Sequence, residues 1–158
     1  MTNPEILIRD ARADDVDVLV TFQRAMAAET EDKGLDPARL RRGVQHLIGH
    51  PAEGFYLVAE RNGAAVGSLM VTYEWSDWRN GRFWWIQSVY VSADARRQGV
   101  YSALHAAVRA RAKGDPESCG IRLYVEQDNT VAQQTYRALG MVQTHYRLFE
   151  EEFQPAQG

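Results

Sequence analysis

The chain has 158 residues, 45% hydrophobic and 25% charged, at a formal net charge of −3. That is long enough to bury a core as a single domain over 1–158, and it lacks the basic surface with which nucleic-acid binders neutralise phosphates. No apolar run approaches the ~20 residues of a membrane span, so neither a membrane nor a nucleic acid is an expected partner, while the slight acidity mildly suits a cationic one.

The opening residues, Met1 to Glu5, have neither the basic region nor the apolar stretch of a secretory leader. Ile6 to Asp10 reads as a first strand. From about Asp14 to Glu29, Val16, Leu19, Val20, Phe22 and Met26 recur at helical spacing. A second helix opens with Pro37 in its first turn, carries Leu40, Val44 and Leu47, and ends near Gly49-His50-Pro51. Phe55–Glu60 and Ala64–Tyr73 are β-rich and flank Asn62-Gly63, a strong hairpin signal. A polar loop with Ser76, Asp77, Asn80 and Gly81 leads to Phe83–Val91, apolar enough for a central strand buried on both faces. Helical spacing resumes at Val100, Leu104, Ala107 and Val108. The lone Cys119 cannot form an internal disulfide, which fits a cytoplasmic protein. Ile121, Leu123 and Val125 alternate with polar or aromatic neighbours as in a strand. Asp128 or Asn129 can cap a helix bearing Ala132, Tyr136 and Leu139, and Gly140 stands where a left-handed cap is expected. Val142–Phe149 reads as a last strand. The order βααβββαβαβ predicts an α/β fold: a mixed, mostly antiparallel sheet flanked by helices.

Between Val91 and Val100 an apolar strand runs through a short basic, glycine-bearing turn straight into a helix. Such a turn aims unpaired N–H groups and the positive end of the helix dipole at one point, a site for phosphate. No Gly-Lys-Ser/Thr follows, and one glycine is too few for a dinucleotide fingerprint. The run Arg96-x-x-Gly99-x-Tyr101 resembles the pyrophosphate signature Gln/Arg-x-x-Gly-x-Gly/Ala of the GNAT N-acetyltransferase family, with Tyr101 departing from the small last residue. The later block Asn129, Ala132, Tyr136, Gly140, Met141 resembles the second half of that family's core. Two blocks in the family's order extend the resemblance over residues 55 to 149.

The resemblance implies acetyl-CoA as cosubstrate, with Val89, Tyr90 and Val91 lending backbone groups to the pantetheine arm and thioester. It places Arg96, Arg97, Gln98, Gly99, Val100, Tyr101 and Ser102 around the pyrophosphate, and Asn129 at the pantetheine arm or as a helix cap. Tyr136 matches the family's proton donor to the departing thiolate; a phenol of pKa ~10 is protonated at neutral pH. Glu74, at a strand end, is the candidate base for the amine. Glu29, Glu31 and Asp32 lie in the segment that shapes the family's acceptor pocket, and Trp75 and Gln87 are further acceptor candidates. The aromatic run Tyr73, Trp75, Trp78, Phe83, Trp84, Trp85 and Tyr90 includes every tryptophan; ring faces attract cations, although most such rings build cores. Together these point to a small, polyamine-like amine as acceptor, with a protein or peptide amine, or a non-catalytic acyl-CoA sensor favoured by a crowding Tyr101, as alternatives. Cys119, with no histidine near it in sequence, is a poor nucleophile. His46, His50, His105 and His145 look scattered, so no metal is expected. Members of the family often form homodimers, and one is expected here.

Overall fold

A computed structural model describes residues 5–31 and 34–154, except the Glu31 side chain. Asp32 therefore lies outside the described residues, as does the side chain of Glu31. Five strands form one sheet in the order of the chain: β1 (Ile6–Asp10), β2 (Gly54–Arg61), β3 (Ala64–Ser76), β4 (Gly81–Val91) and β5 (Ser118–Arg122). The first four pair antiparallel, and β5 joins β4 in parallel. Helices α1 (Val16–Glu31) and α2 (Pro37–Ile48) precede β2; α3 (Val100–Gly114) crosses from β4 to β5, and α4 (Thr130–Ala138) follows.

The sheet is covered on both faces, and β2 shows why it has to be. Leu57 and Ala59 pack with Leu69, Val71, Trp84 and Ile86 beneath Val100, Leu104, Val108 and Ala112 of α3. Tyr56 and Val58 point the other way, onto Val16, Leu19 and Val20 of α1 and Val44 and Leu47 of α2. Alternating residues of one strand thus feed two cores. The second helix starts as expected, with Asp36 accepting from the Ala38 N–H and Pro37 in the first turn. Arg9 ties the edge of β1 to the entry of α1: it binds both Asp15 oxygens at 2.8 Å and Glu60 at 2.6 Å. The Arg9 guanidinium holds the Asp15 carboxyl below the ordinary carboxylate range.

Two expectations change. Only the first half of β4 is buried on both faces: Phe83, Trp84 and Ile86 are, while residues 87–91 are half-exposed because β5 has left their side. The last strand, Val142–Phe149, does not form, and residues 141–152 belong to no strand. A strand exists through its ladder, and the outer edge of β5 carries none. The fold is otherwise the expected mixed, mostly antiparallel sheet between helices.

Candidate functional site

The site begins where the sheet opens. The β4–β5 ladder runs from Arg82 opposite Ser118 to Trp85 opposite Arg122 and then stops, although β4 continues to Val91. Beyond Trp85 the backbone groups on that side of β4 have no ladder partner from β5. Within the same stretch β4 carries a bulge: Ser68 pairs with Tyr90 but Met70 with Gln87, so one extra residue is fitted into β4. Ser88 absorbs it at φ +55°, a left-handed conformation that costs a non-glycine residue about 1–2 kcal/mol. The bulge switches the alternation, turning Val89 and Val91 toward the α3 core and Tyr90 onto Phe22 of α1, 5.0 Å between ring centroids. Gln23, buried in α1, fixes the bulge by donating to the Ser88 carbonyl at 3.0 Å. Sequence inspection missed Gln23; its one signal was an amide inside the apolar stripe of α1.

Just past β4 the chain makes a 3-10 turn over Ala93–Ala95, and Arg97 and Gly99 both take left-handed φ, +63° and +83°. The first intrahelical bond of α3 is Ala103 N–H to the Gly99 carbonyl, so the N–H groups of Val100, Tyr101 and Ser102 have no partner within the helix. Left-handed residues on either side of Gln98 fold the backbone into a concave nest suited to an anion. A Cβ on Gly99 would meet no protein atom within 4 Å, so the position is open to a ligand and demands glycine through φ alone. Gln98 does not face outward as a free donor: its amide donates to Asp94 O at 3.0 Å and its carbonyl accepts from Arg61. Arg96 donates to the Val91 carbonyl at 2.9 Å and to Glu29 at 2.7 Å, beside the Tyr90 ring. Arg97 is left exposed at the turn.

Tyr101 does not crowd that turn. Its ring leans along α3, with its hydroxyl 3.1 Å from Nδ1 of buried His105 and its edge against Tyr136 of α4, 5.7 Å between centroids. Burial pushes both phenols up, and burial together with Arg109 lowers His105, so these three groups are neutral near pH 7. The feature that favoured a pure sensor is therefore absent. Asn129 caps α4 by accepting from Ala132 N–H at 3.1 Å. Gly140, at φ +94°, closes α4 with Met141 N–H reaching the Tyr136 carbonyl.

The remaining candidates are divided. Gln87 lies on β4 beside the bulge. Glu74 pairs in register with Phe83, five residues from Ser88, or about 16 Å along the strand. Its carboxylate is held by Arg122 at 2.6 Å and by the Trp85 indole N–H at 3.2 Å. Trp75 is further out still, opposite Arg82 and largely exposed. Two histidines are not scattered. His46 and His50 stack at 3.9 Å, and His46 Nε2 meets Glu53 at 2.5 Å; their i, i+4 spacing at the end of α2 was the legible signal.

Comparison with known proteins decides what this arrangement belongs to. Residues 19–141 match the model of the acetyltransferase (GNAT) family. The chain belongs to the GNAT acetyltransferase family. Among solved structures it is similar to a possible acetyltransferase from Clostridium difficile 630, at 42% identity and TM-score 0.87 over 95% of this chain and 99% of that one. A predicted acetyltransferase from Clostridium acetobutylicum with acetyl-CoA shares the fold at 18% identity and TM-score 0.77, over 93% and 96% of the two chains. So does the aminoglycoside N-acetyltransferase AAC(6')-Iy in complex with CoA, at 15% identity, TM-score 0.77, and 96% and 97% coverage. A search of curated proteins finds no match. No helix among the described residues is long and apolar enough to cross a membrane. In this GNAT acetyltransferase the open, left-handed turn before α3 presents unpaired backbone donors of the kind that an anion requires.

Proposed function

We propose that this single-domain, cytoplasmic acetyltransferase moves the acetyl group of acetyl-CoA directly onto the primary amine of a small molecule. The observation that carries this reading is the juxtaposition of three backbone features: the β4–β5 opening, the Ser88 bulge, and the donor nest at Arg97–Ser102. Acetyl-CoA supplies an activated acetyl thioester. The nest and Arg97 hold its charged end, and β4 residues 89–91 align its arm along the cleft. Backbone N–H groups freed by the bulge stabilise charge on the carbonyl oxygen as the amine adds. Tyr136, kept protonated by burial, gives its proton to the sulfur as the C–S bond breaks, and is reprotonated from water. The amine must arrive without its proton, since an alkylammonium of pKa ~10.4 has no lone pair to offer. That proton leaves to water in the cleft, because the Glu74 carboxylate is already bound to Arg122 and Trp85.

The acceptor follows from the same ion pairs. Glu29 is neutralised by Arg96 and Glu74 by Arg122, so neither of these two carboxylates is free to draw in a polyamine. The rings of Trp85 and Tyr124 are set to hold a singly charged amine. An amine is also what AAC(6')-Iy is seen with, as the bisubstrate analogue CoA-S-monomethyl-acetylneamine. Release of free CoA is the assay, run with aromatic and aliphatic monoamines, polyamines, aminoglycosides, amino acids and short peptides. Monoamines are expected to stimulate release most. Stimulation by peptides alone would overturn the small-molecule reading.

A further inference from the structure

We propose that His46, His50 and Glu53, at the junction of α2 and β2, form a site for a divalent transition-metal ion such as zinc, which fastens the end of that helix to the start of that strand. The inference is independent of the coenzyme, the acyl acceptor and the reaction. It starts from three ligand-type side chains brought to one place. His46 stands in the last turn of α2 and His50 four residues on, the spacing at which helical neighbours meet. Their rings stack with centroids 3.9 Å apart and planes 13° from parallel. A following turn, closed by the Glu53 N–H donating to the His50 carbonyl at 2.9 Å, brings Glu53 back to the same spot. One donor atom from each of the three lies within 4.8 Å of the other two.

The hydrogen bonds leave these groups ready to ligate. A backbone carbonyl only accepts, so the 2.6 Å contact of His50 Nδ1 with the His46 carbonyl puts the proton on Nδ1 and a lone pair on Nε2. Ligating histidines are ordinarily held by an outer bond of this kind. His46 Nε2 lies 2.5 Å from Glu53 Oε2. A carboxylate also only accepts, so a proton stands there where an ion would, and it moves to Nδ1 of the same ring when the ion binds. Donors about 2.1 Å from an ion at tetrahedral angles are about 3.4 Å apart. The separations here fall on either side of that value, and all three side chains are exposed and able to turn. The backbone beneath them is fixed. Gly54, next to Glu53, sits so near Val71 that a Cβ would stand 2.2 Å from its carbonyl oxygen, and the Gly49 N–H is bonded to the Gln45 carbonyl at 3.1 Å.

The donor set chooses the ion. Two imidazoles and a carboxylate suit zinc and its neighbours, whereas magnesium and calcium take oxygen ligands. Three protein donors leave the fourth tetrahedral position to water, and the positive charge is met by Glu53 and by the negative end of α2. Because the ligands come from both sides of the junction, an ion held there favours the folded chain by mass action.

The test uses the full chain without a histidine tag, stripped by a chelator that is then dialysed away. Calorimetric titration with zinc chloride should show a single zinc bound per chain, and magnesium chloride should show no binding. Excess zinc should raise the midpoint of thermal unfolding. His50→Ala and Glu53→Gln, both at exposed positions, should keep the helical signal of the metal-free protein. Each should weaken zinc binding by more than about tenfold, the least that losing even a hydrogen-bonded partner of a ligand costs, and abolish the rise in midpoint. Cys119→Ser and His145→Ala, which remove ligand-type side chains outside the cluster, should change neither readout. Absence of zinc binding, equal binding of magnesium, or zinc affinity unchanged in either cluster variant would each overturn the site.

Discussion

Gly99 tests the coenzyme site most directly, because the cost of changing it can be divided between folding and binding. Its φ of +83° is unsuited to a β-branched side chain, while the space around it is empty of protein. Gly99→Val therefore meets a backbone penalty and no clash with the protein itself. Holding an L-residue left-handed costs about 1–2 kcal/mol, which for a chain of this length lowers Tm by about 2–8 °C at 2–4 °C per kcal/mol. The chain can escape that strain only by turning the peptide, which swings the N–H groups at the start of α3 away from their common focus. Hydrogen bonds to a charged group contribute about 1.5–3 kcal/mol each, so losing two of them weakens acetyl-CoA binding by roughly 10² to 10⁴. Calorimetric titration with acetyl-CoA gives the affinity, and thermal unfolding of the free protein gives the stability. A folded Gly99→Val protein that binds acetyl-CoA within about threefold of the native chain, on the scale of 1.4 kcal/mol per tenfold, would refute the placement of the pyrophosphate at this turn.

Two further substitutions address the chemistry. Tyr136→Phe keeps the ring against Tyr101 and removes only the hydroxyl; kcat should fall about 10²-fold, the low end for a general acid because a thiolate of pKa near 8.5 departs tolerably unaided. Acetyl-CoA affinity should not move. Burial raises the Tyr136 pKa above its ordinary 10, so the acid is fully present at neutral pH and its contribution is lost only as pH rises past that raised value, a decline the variant should lack. An unchanged kcat would remove Tyr136 from the reaction. Gln23→Leu deletes the donor to the Ser88 carbonyl, leaving a part-buried acceptor unpaired at about 1–3 kcal/mol. Steady-state kinetics should show kcat reduced with acetyl-CoA affinity kept, and equal losses in both would mean that the bulge only supports the fold.

What could be read from the residues, and what could not, divides along the range of the interaction. Helices and strands follow periods of 3.6 and 2, and the Asn129 and Gly140 caps act within a few residues, so all of these were legible. The turn before α3 was legible for the same reason: its donors are the backbone of consecutive residues. Partners distant in sequence were not. Arg96 was expected at phosphate, but its carboxylate partner Glu29 stands 67 residues earlier. Glu74 was expected as a base, but Arg122, 48 residues later, holds it. No pattern in one chain announces such pairs, because either residue alone is an ordinary charged side chain. The Ser88 bulge lies between these cases: Gln87 and Ser88 were conspicuous as polar residues in an apolar strand, yet only the Met70 and Ser68 pairings reveal an extra residue there. The last segment carries the same logic to its limit. Alternation from Val142 to Phe149 says that these residues can form a strand, since it depends only on neighbours along the chain. It does not say against what, and among the described residues no backbone edge pairs with them.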